Sequence, residues 1–205
     1  MAVEMTHVDL LRHGACEGGE IYRGSSDVAL TAEGWQQMAD AVSPLDGWQR
    51  LVSSPLSRCR GFAAELAEQR NLPLTVEPGF RELCFGEWEG RSIRDVWKRD
   101  RERADAFYAN PLSVTPPGGE SIAAVSERVA VAWQGLLRDC RGEKVLLICH
   151  GGVIRLLLCH LLDIPVSAMM RLDVPYASLS RLRVYHSDEG DSPVLLSHNC
   201  GGSGA

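Results

Sequence analysis

Val8-Asp9-Leu10-Leu11-Arg12-His13-Gly14 is the stretch that decides the fold. An apolar run closed by a glycine predicts a short buried strand with a tight exit turn. In an open α/β sheet, ligands bind beyond the carboxyl ends of the strands, which is where this strand delivers an arginine and a histidine. The pair suits phosphate, since a guanidinium fork grips the oxygens while an imidazole attacks phosphorus. A histidine at a strand end is more often a hydrogen-bonded structural residue, so only partners elsewhere in the chain would give it chemistry.

One such partner is plain. Lys144 to Cys149 is apolar on both faces, as a buried parallel strand is, and runs into His150-Gly151-Gly152. Two strand–His–Gly turns at parallel strand ends can converge on one site. Between them, strands are expected at 48–53 and 72–76. Helices are expected from Thr31 (N-cap) to Val42, from Ser54 (N-cap) and Pro55 through Leu66, over 92–108, from Glu120-Ser121 through Leu136, and over 153–162. Asn110 to Gly119 is rich in Pro and Gly and reads as a loop, with a flap and a rigid connection equally open. A β hairpin over 179–186 and 194–198 closes the chain. This alternation predicts an α/β fold, a three-layer α/β/α sandwich with a mostly parallel central sheet and one antiparallel edge. A single domain is expected over residues 1–200, with 201–205 as a flexible tail.

Bulk properties narrow the function classes. A length of 205 residues suits one domain, and the net charge of −6 argues against a broad nucleic-acid surface. The apolar run from Val153 to Leu162 is broken by Arg155 and His160 and is too short to span a bilayer. No basic-then-apolar segment opens the chain, so a cytoplasmic protein is expected. Seven cysteines with no Cys-x-x-Cys pair fit neither a disulfide framework nor a zinc finger, and reduced thiols are expected.

Other candidates stand along the chain. Tyr22-Arg23-Gly24 could lay Arg23 and a backbone N–H against an anion. Arg58 lies in the first turn of an expected helix, where free N–H groups already favour anions and a cation is poorly placed for the helix dipole. Glu82 stands in a segment with Phe80, Phe85 and Trp88, where partial desolvation would suit a carboxyl to proton transfer; Glu87 and Glu89 read as exposed loop acids. A rival chemistry must also be weighed. Cys149 and Arg155 satisfy Cys-x5-Arg between a strand and a helix, the plan of a thiolate phosphatase loop. Strand alternation turns Cys149 and His150 to opposite sides, so a site can easily use only one of them.

Taken in order, Leu11-Arg12-His13-Gly14, Ser53-Ser54-Pro55-Leu56-Ser57-Arg58, Glu82 ahead of Phe85-Gly86-Glu87-Trp88-Glu89-Gly90, Pro117-Gly118-Gly119-Glu120-Ser121 and His150-Gly151-Gly152 resemble the histidine phosphatase (phosphoglycerate-mutase-like) superfamily over nearly the whole chain. The run from Phe85 to Gly90 and the compact loop at 116–120 are most similar to bacterial α-ribazole phosphatases. The resemblance implies a phosphoric monoester hydrolase of the histidine acid/alkaline type with no cofactor and no metal. It makes His13 the phosphorylated nucleophile and Glu82 the proton donor. Arg12, Arg58 and His150, with the Gly151 turn, hold the phosphoryl oxygens. Many members carry Thr and then Asn after Arg-His-Gly, the Asn touching phosphate; here Ala15-Cys16-Glu17-Gly18 stands instead. Arg23 and the Gly24 backbone are the expected substitutes. The expected substrate is α-ribazole 5′-phosphate, with a sugar phosphate or phosphoglycerate as the alternatives. A phosphotransferase and a non-catalytic phospholigand-binding module stay open. The expected partner is that small phosphomonoester, with neither nucleic acid nor membrane, and a homodimer is left open.

Overall fold

The computed structural model describes residues 4–200; the expected tail at 201–205 lies outside them. One six-stranded sheet runs through the described residues. Its strands are β1 (Met5–Arg12), β2 (Arg50–Ser53), β3 (Leu74–Val76), β4 (Lys144–Cys149), β5 (Leu179–Ser187) and β6 (Gly190–Cys200). Across the sheet the order is β3-β2-β4-β1-β5-β6. The pairs from β3 to β1 are parallel, whereas β5 is antiparallel to both β1 and β6. The one reversed strand is therefore β5, one place in from the edge, because the tight turn into β6 restores the common direction.

The helices are α1 (Ala32–Val42), α2 (Ser57–Arg70), α3 (Ile93–Arg99), α4 (Arg101–Ala109), α5 (Ile122–Asp139) and α6 (Gly151–Leu161). Alternation along β4 splits the core. Val145, Leu147 and Cys149 pack with Trp133, Val129, Ile154 and Leu157 of α5 and α6. Leu146 and Ile148 face Met38, Val42, Phe62 and Leu66 of α1 and α2 on the other side. The three-layer α/β/α architecture follows from that division.

Some boundaries differ from expectation for identifiable reasons. The helix expected from Ser54-Pro55 begins at Ser57, whose N–H donates to Asp27 Oδ1 at 2.6 Å, so a distant aspartate caps it. The expected helix over 92–108 breaks at Asp100, whose carboxylate accepts from Trp88 Nε1 at 3.0 Å and fixes the bend between α3 and α4. Among the described residues no helix is long and apolar enough to cross a membrane.

The start of α1 is seated directly on the exit turn of β1. A Cβ on Gly14 would overlap the Gly34 carbonyl, and one on Gly34 would overlap the Ala15 backbone. Helix propensity alone favours Gly34→Ala by about 1 kcal/mol. Overlap with backbone outweighs that, because neither partner is a flexible side chain. Gly34→Ala is expected to destabilise the protein by about 1–3 kcal/mol; a urea midpoint at or above that of the parent would contradict this packing.

Candidate active site

The ladder between β1 and β4 pairs Arg12 with Cys149, and His13 N–H donates to the Cys149 carbonyl at 3.1 Å. The next residues on each strand, His13 and His150, therefore emerge side by side. Their rings meet edge-on at 5.2 Å. Arg58, in the first turn of α2, and Glu82, from the segment after β3, join His13 in one cavity of about 520 Å³ that Arg12, Arg23, Gly24 and Gly151 also line. His150, by contrast, is fully buried against Arg58 and the His13 ring.

Each member is held in a definite way. His13 Nδ1 lies 2.8 Å from the Gly14 carbonyl, which can only accept, so Nδ1 carries the proton and Nε2 keeps a lone pair. His150 Nδ1 accepts from Arg58 Nε at 3.3 Å, and its Nε2 pairs with Ser54 Oγ at 2.6 Å. Both its nitrogens are thus engaged, and a contact with a phosphoryl oxygen would be made in exchange for the Arg58 bond. Ser54, expected as a helix cap, orients His150 instead. Arg58 is fully buried and also donates to the carbonyls of Ser26 and Gly24, at 2.8 and 2.6 Å. Three of its five N–H groups are used, which leaves two for a ligand. Arg12 donates to the Val174 carbonyl and lies 4.2 Å above the Tyr176 ring, while its buried Nε has no partner. On the cavity wall, that Nε–H is a donor an arriving acceptor can take.

Arg23 and Gly24 line the cavity and also play parts that the sequence did not announce. Arg23 donates to the carbonyls of Cys16, Glu17 and Gly19 and to Tyr176 Oη, and so ties down the loop after His13. The Gly24 carbonyl orients Arg58, and a Cβ at this position would collide with the Glu89 carboxylate. Glu89, expected as an exposed acid, accepts from the Ser25 and Phe85 N–H groups and from the Ser25 and Ser26 hydroxyls. It thereby fixes the loop that carries those two carbonyls to Arg58.

Glu82 is placed by polar contacts rather than by an aromatic nest. Its carboxylate accepts from the Leu83 N–H and from the Gly152 N–H at the start of α6, each at 3.1 Å. A Cβ on Gly152 would collide with it, so that glycine permits the approach. Phe80 and Trp88 are core residues, and only Phe85 of that trio lines the cavity. Cys149 points to the opposite face of its strand and is fully buried in the core, where burial pushes its thiol well up. A buried protonated thiol is a poor nucleophile. Arg155 does reach the cavity, with Nε on the Leu172 carbonyl at 2.9 Å. Tyr176 joins the site without a local sequence signal, whereas Arg155 and Ser54 had signals that pointed to other roles, a thiolate loop and a helix cap.

Burial, then Arg58 and Arg12, hold His13 well below the usual histidine range; burial, Arg58 and His13 do the same for His150. Among the described residues no group of three His, Cys, Asp or Glu side chains is arranged to hold a metal. The arrangement offers one free imidazole nitrogen, guanidinium donors for an anion, and a carboxyl facing the same space.

The match to known proteins agrees with this geometry. The Histidine phosphatase superfamily (branch 1) family description matches residues 8–199. A bifunctional protein of Mycobacterium tuberculosis is 34% identical over 157 residues, covering 74% of this chain and 43% of that protein. The chain thus spans less than half the length of that relative. The adenosylcobalamin/alpha-ribazole phosphatase of Escherichia coli K12 is 30% identical over 152 residues, covering 72% of this chain and 75% of that one. In three dimensions, the mycobacterial glucosyl-3-phosphoglycerate phosphatase superposes with a TM-score of 0.82 at 28% identity, over 94% of this chain and 98% of its own.

The two buried histidines predict how stability depends on pH. Their folded pKa values lie below the unfolded value of 6.5, so on acidification the unfolded chain takes up protons that the native state refuses. Their contribution is complete above pH 6.5 and falls below it by up to about 1.4 kcal/mol per pH unit for each histidine. Urea titrations between about pH 7 and pH 5 should show that loss, and His13→Gln should flatten it. An unchanged slope in the variant would contradict the burial of a neutral His13.

Proposed function

The chain belongs to the histidine phosphatase superfamily, and from that premise we propose that it is a metal-independent phosphomonoesterase that works through a phosphohistidine. The observation that carries this reading is that His13, with its Nε2 free, and Arg12, with its Nε unpartnered, line one cavity. A phosphoryl group there meets both a nucleophile and an unpaired donor. Arg12 and the two remaining N–H groups of Arg58 hold its equatorial oxygens, where charge is concentrated in the transition state. His13 Nε2 attacks phosphorus, the ester P–O bond breaks, and the Glu82 carboxyl protonates the leaving oxygen. Its carboxylate then takes a proton from a water molecule that displaces His13 and releases inorganic phosphate. His150 keeps Arg58 aimed and packs against the His13 ring.

The substrate reading rests on the outer cavity. Phe85, Ile93, Phe107, Ile122 and Met170 line it, and the hydroxyls of Tyr22 and Tyr108 bond to each other at 3.1 Å. Such a wall suits a leaving group that carries an aromatic base on its sugar better than a bare sugar, which would leave the aromatic faces uncovered. Glu20, Arg23 and Arg155 on the same cavity can pair the sugar hydroxyls. With the likeness to the Escherichia coli enzyme, this supports α-ribazole 5′-phosphate over a sugar phosphate or phosphoglycerate. The aromatic wall also speaks against a mutase-type transfer between small hydroxyacids.

Hydrolysis of p-nitrophenyl phosphate in EDTA should survive in the parent and in Cys149→Ser and vanish in His13→Ala. Arg58→Ala should lower turnover by about 10²–10³. Loss confined to Cys149→Ser would overturn the histidine mechanism. Against the parent, kcat/KM for α-ribazole 5′-phosphate should exceed that for glucose 6-phosphate by more than about tenfold, and the reverse order would overturn the substrate reading alone.

A further inference from the structure

The loop over residues 110–119 and the Glu120 that follows it have no part in the site described above. Nor is Glu82 carried by a helix or strand: residues 81–85 are irregular, between the turns Pro78–Phe80 and Gly86–Trp88. A group that must deliver a proton to one oxygen needs a fixed backbone beneath it, and this segment supplies none of its own.

The fixing comes from α5. Arg128 Nη1 donates to the carbonyls of Gly79 at 2.9 Å and Arg81 at 2.8 Å, and Nη2 donates to the carbonyl of Glu82 itself at 3.2 Å. The remaining donors, Nε and Nη2, form a forked pair with Glu120 at 3.1 and 3.0 Å. All five guanidinium N–H groups are thus in use. Glu120 completes the grip from the other side: its Oε2 accepts the Cys84 N–H at 2.9 Å, its own N–H donates to the Cys84 carbonyl at 2.9 Å, and Oε1 takes Arg81 Nη2 at 2.9 Å. Its carboxyl is held far down, at about 2, mainly against its own burial by Arg128 and the Cys84 N–H. Both side chains are four-fifths buried, so the pair is screened far less than a surface bridge. The loop ahead of Glu120 packs with the same segment, since a Cβ on Gly86 or Gly119 would overlap the opposing backbone. Residues 117–119 of the loop thus buttress that segment.

Neither Arg128 nor Glu120 lines the cavity that holds His13. Arg128 faces a separate cleft of about 600 Å³. We propose that the Arg128–Glu120 pair positions Glu82 for proton transfer by clamping the backbone on both sides of it. The proposal rests on the reading of Glu82 as proton donor.

The test exploits the leaving group. Nitrophenolate departs with little help from an acid, whereas the alkoxide of benzyl phosphate needs its proton, and the two esters are alike in size and aromaticity. kcat/KM reports the step up to loss of that group. Folded state is checked by thermal melting, and Glu120→Gln repeats the experiment should Arg128→Met fail to fold. Glu82→Gln should lose about 10²–10³ on benzyl phosphate and far less on p-nitrophenyl phosphate. Arg128→Met and Glu120→Gln should each lower the benzyl-to-nitrophenyl ratio by about tenfold, and neither should lower it further in the Glu82→Gln background. If both variants reduce the two esters by the same factor while Glu82→Gln stays selective, the clamp is merely structural and the proposal fails. If Glu82→Gln itself shows no selectivity, the reading of Glu82 as acid fails and takes the proposal with it.

Discussion

The parallel register between β1 and β4 is the constraint on which the rest depends. By pairing Arg12 with Cys149 it sends His13 and His150 out of adjacent strands at the same level. A slip of one residue would turn either histidine into a core layer, since successive side chains on a strand face opposite ways. The register is enforced by what lies behind it: Leu147 and Cys149 must face α5 and α6 while Leu146 and Ile148 face α1 and α2. Core packing on both sides of one strand therefore fixes the geometry of the site.

Charge follows from the same placement. Two arginines and two imidazoles converge where backbone carbonyls take up only some of the guanidinium N–H groups. The histidines respond by staying neutral, which leaves the free Nε2 of His13 unprotonated. Arg58 keeps its orientation through Gly24, Ser26 and His150, and the loop bearing those carbonyls is in turn fixed by Glu89. What remains unsatisfied, at Arg12 Nε above all, is complementary to an anion.

Much of this was legible in the sequence because strands buried on both faces announce themselves. The two strand–His–Gly turns gave the sheet and its histidines, and Thr31 capped its helix as expected. Arg58 and Glu82 were harder. Arg58 stood out only as a cation at the wrong end of a helix, and Glu82 was chosen by resemblance, for its N–H partner at Gly152 lies 70 residues away. Ser54, Glu89 and Glu120 stand in motifs visible in the sequence, but these residues, like Tyr176 and Arg128, act through contacts between distant segments, and no local pattern tells which partner tertiary packing will bring. Arg23 does line the cavity, but loop carbonyls that only the folded turn brings together also claim part of its guanidinium, which no local pattern announces.

The most direct measurement is to mix the protein with p-nitrophenyl phosphate, quench in alkali, and locate the covalently bound phosphoryl group by mass spectrometry of its peptides. The histidine mechanism predicts an acid-labile phosphoryl group on His13 that is absent from His13→Ala. A phosphoryl group on Cys149, or rapid turnover with none on the protein under any quench, would contradict it.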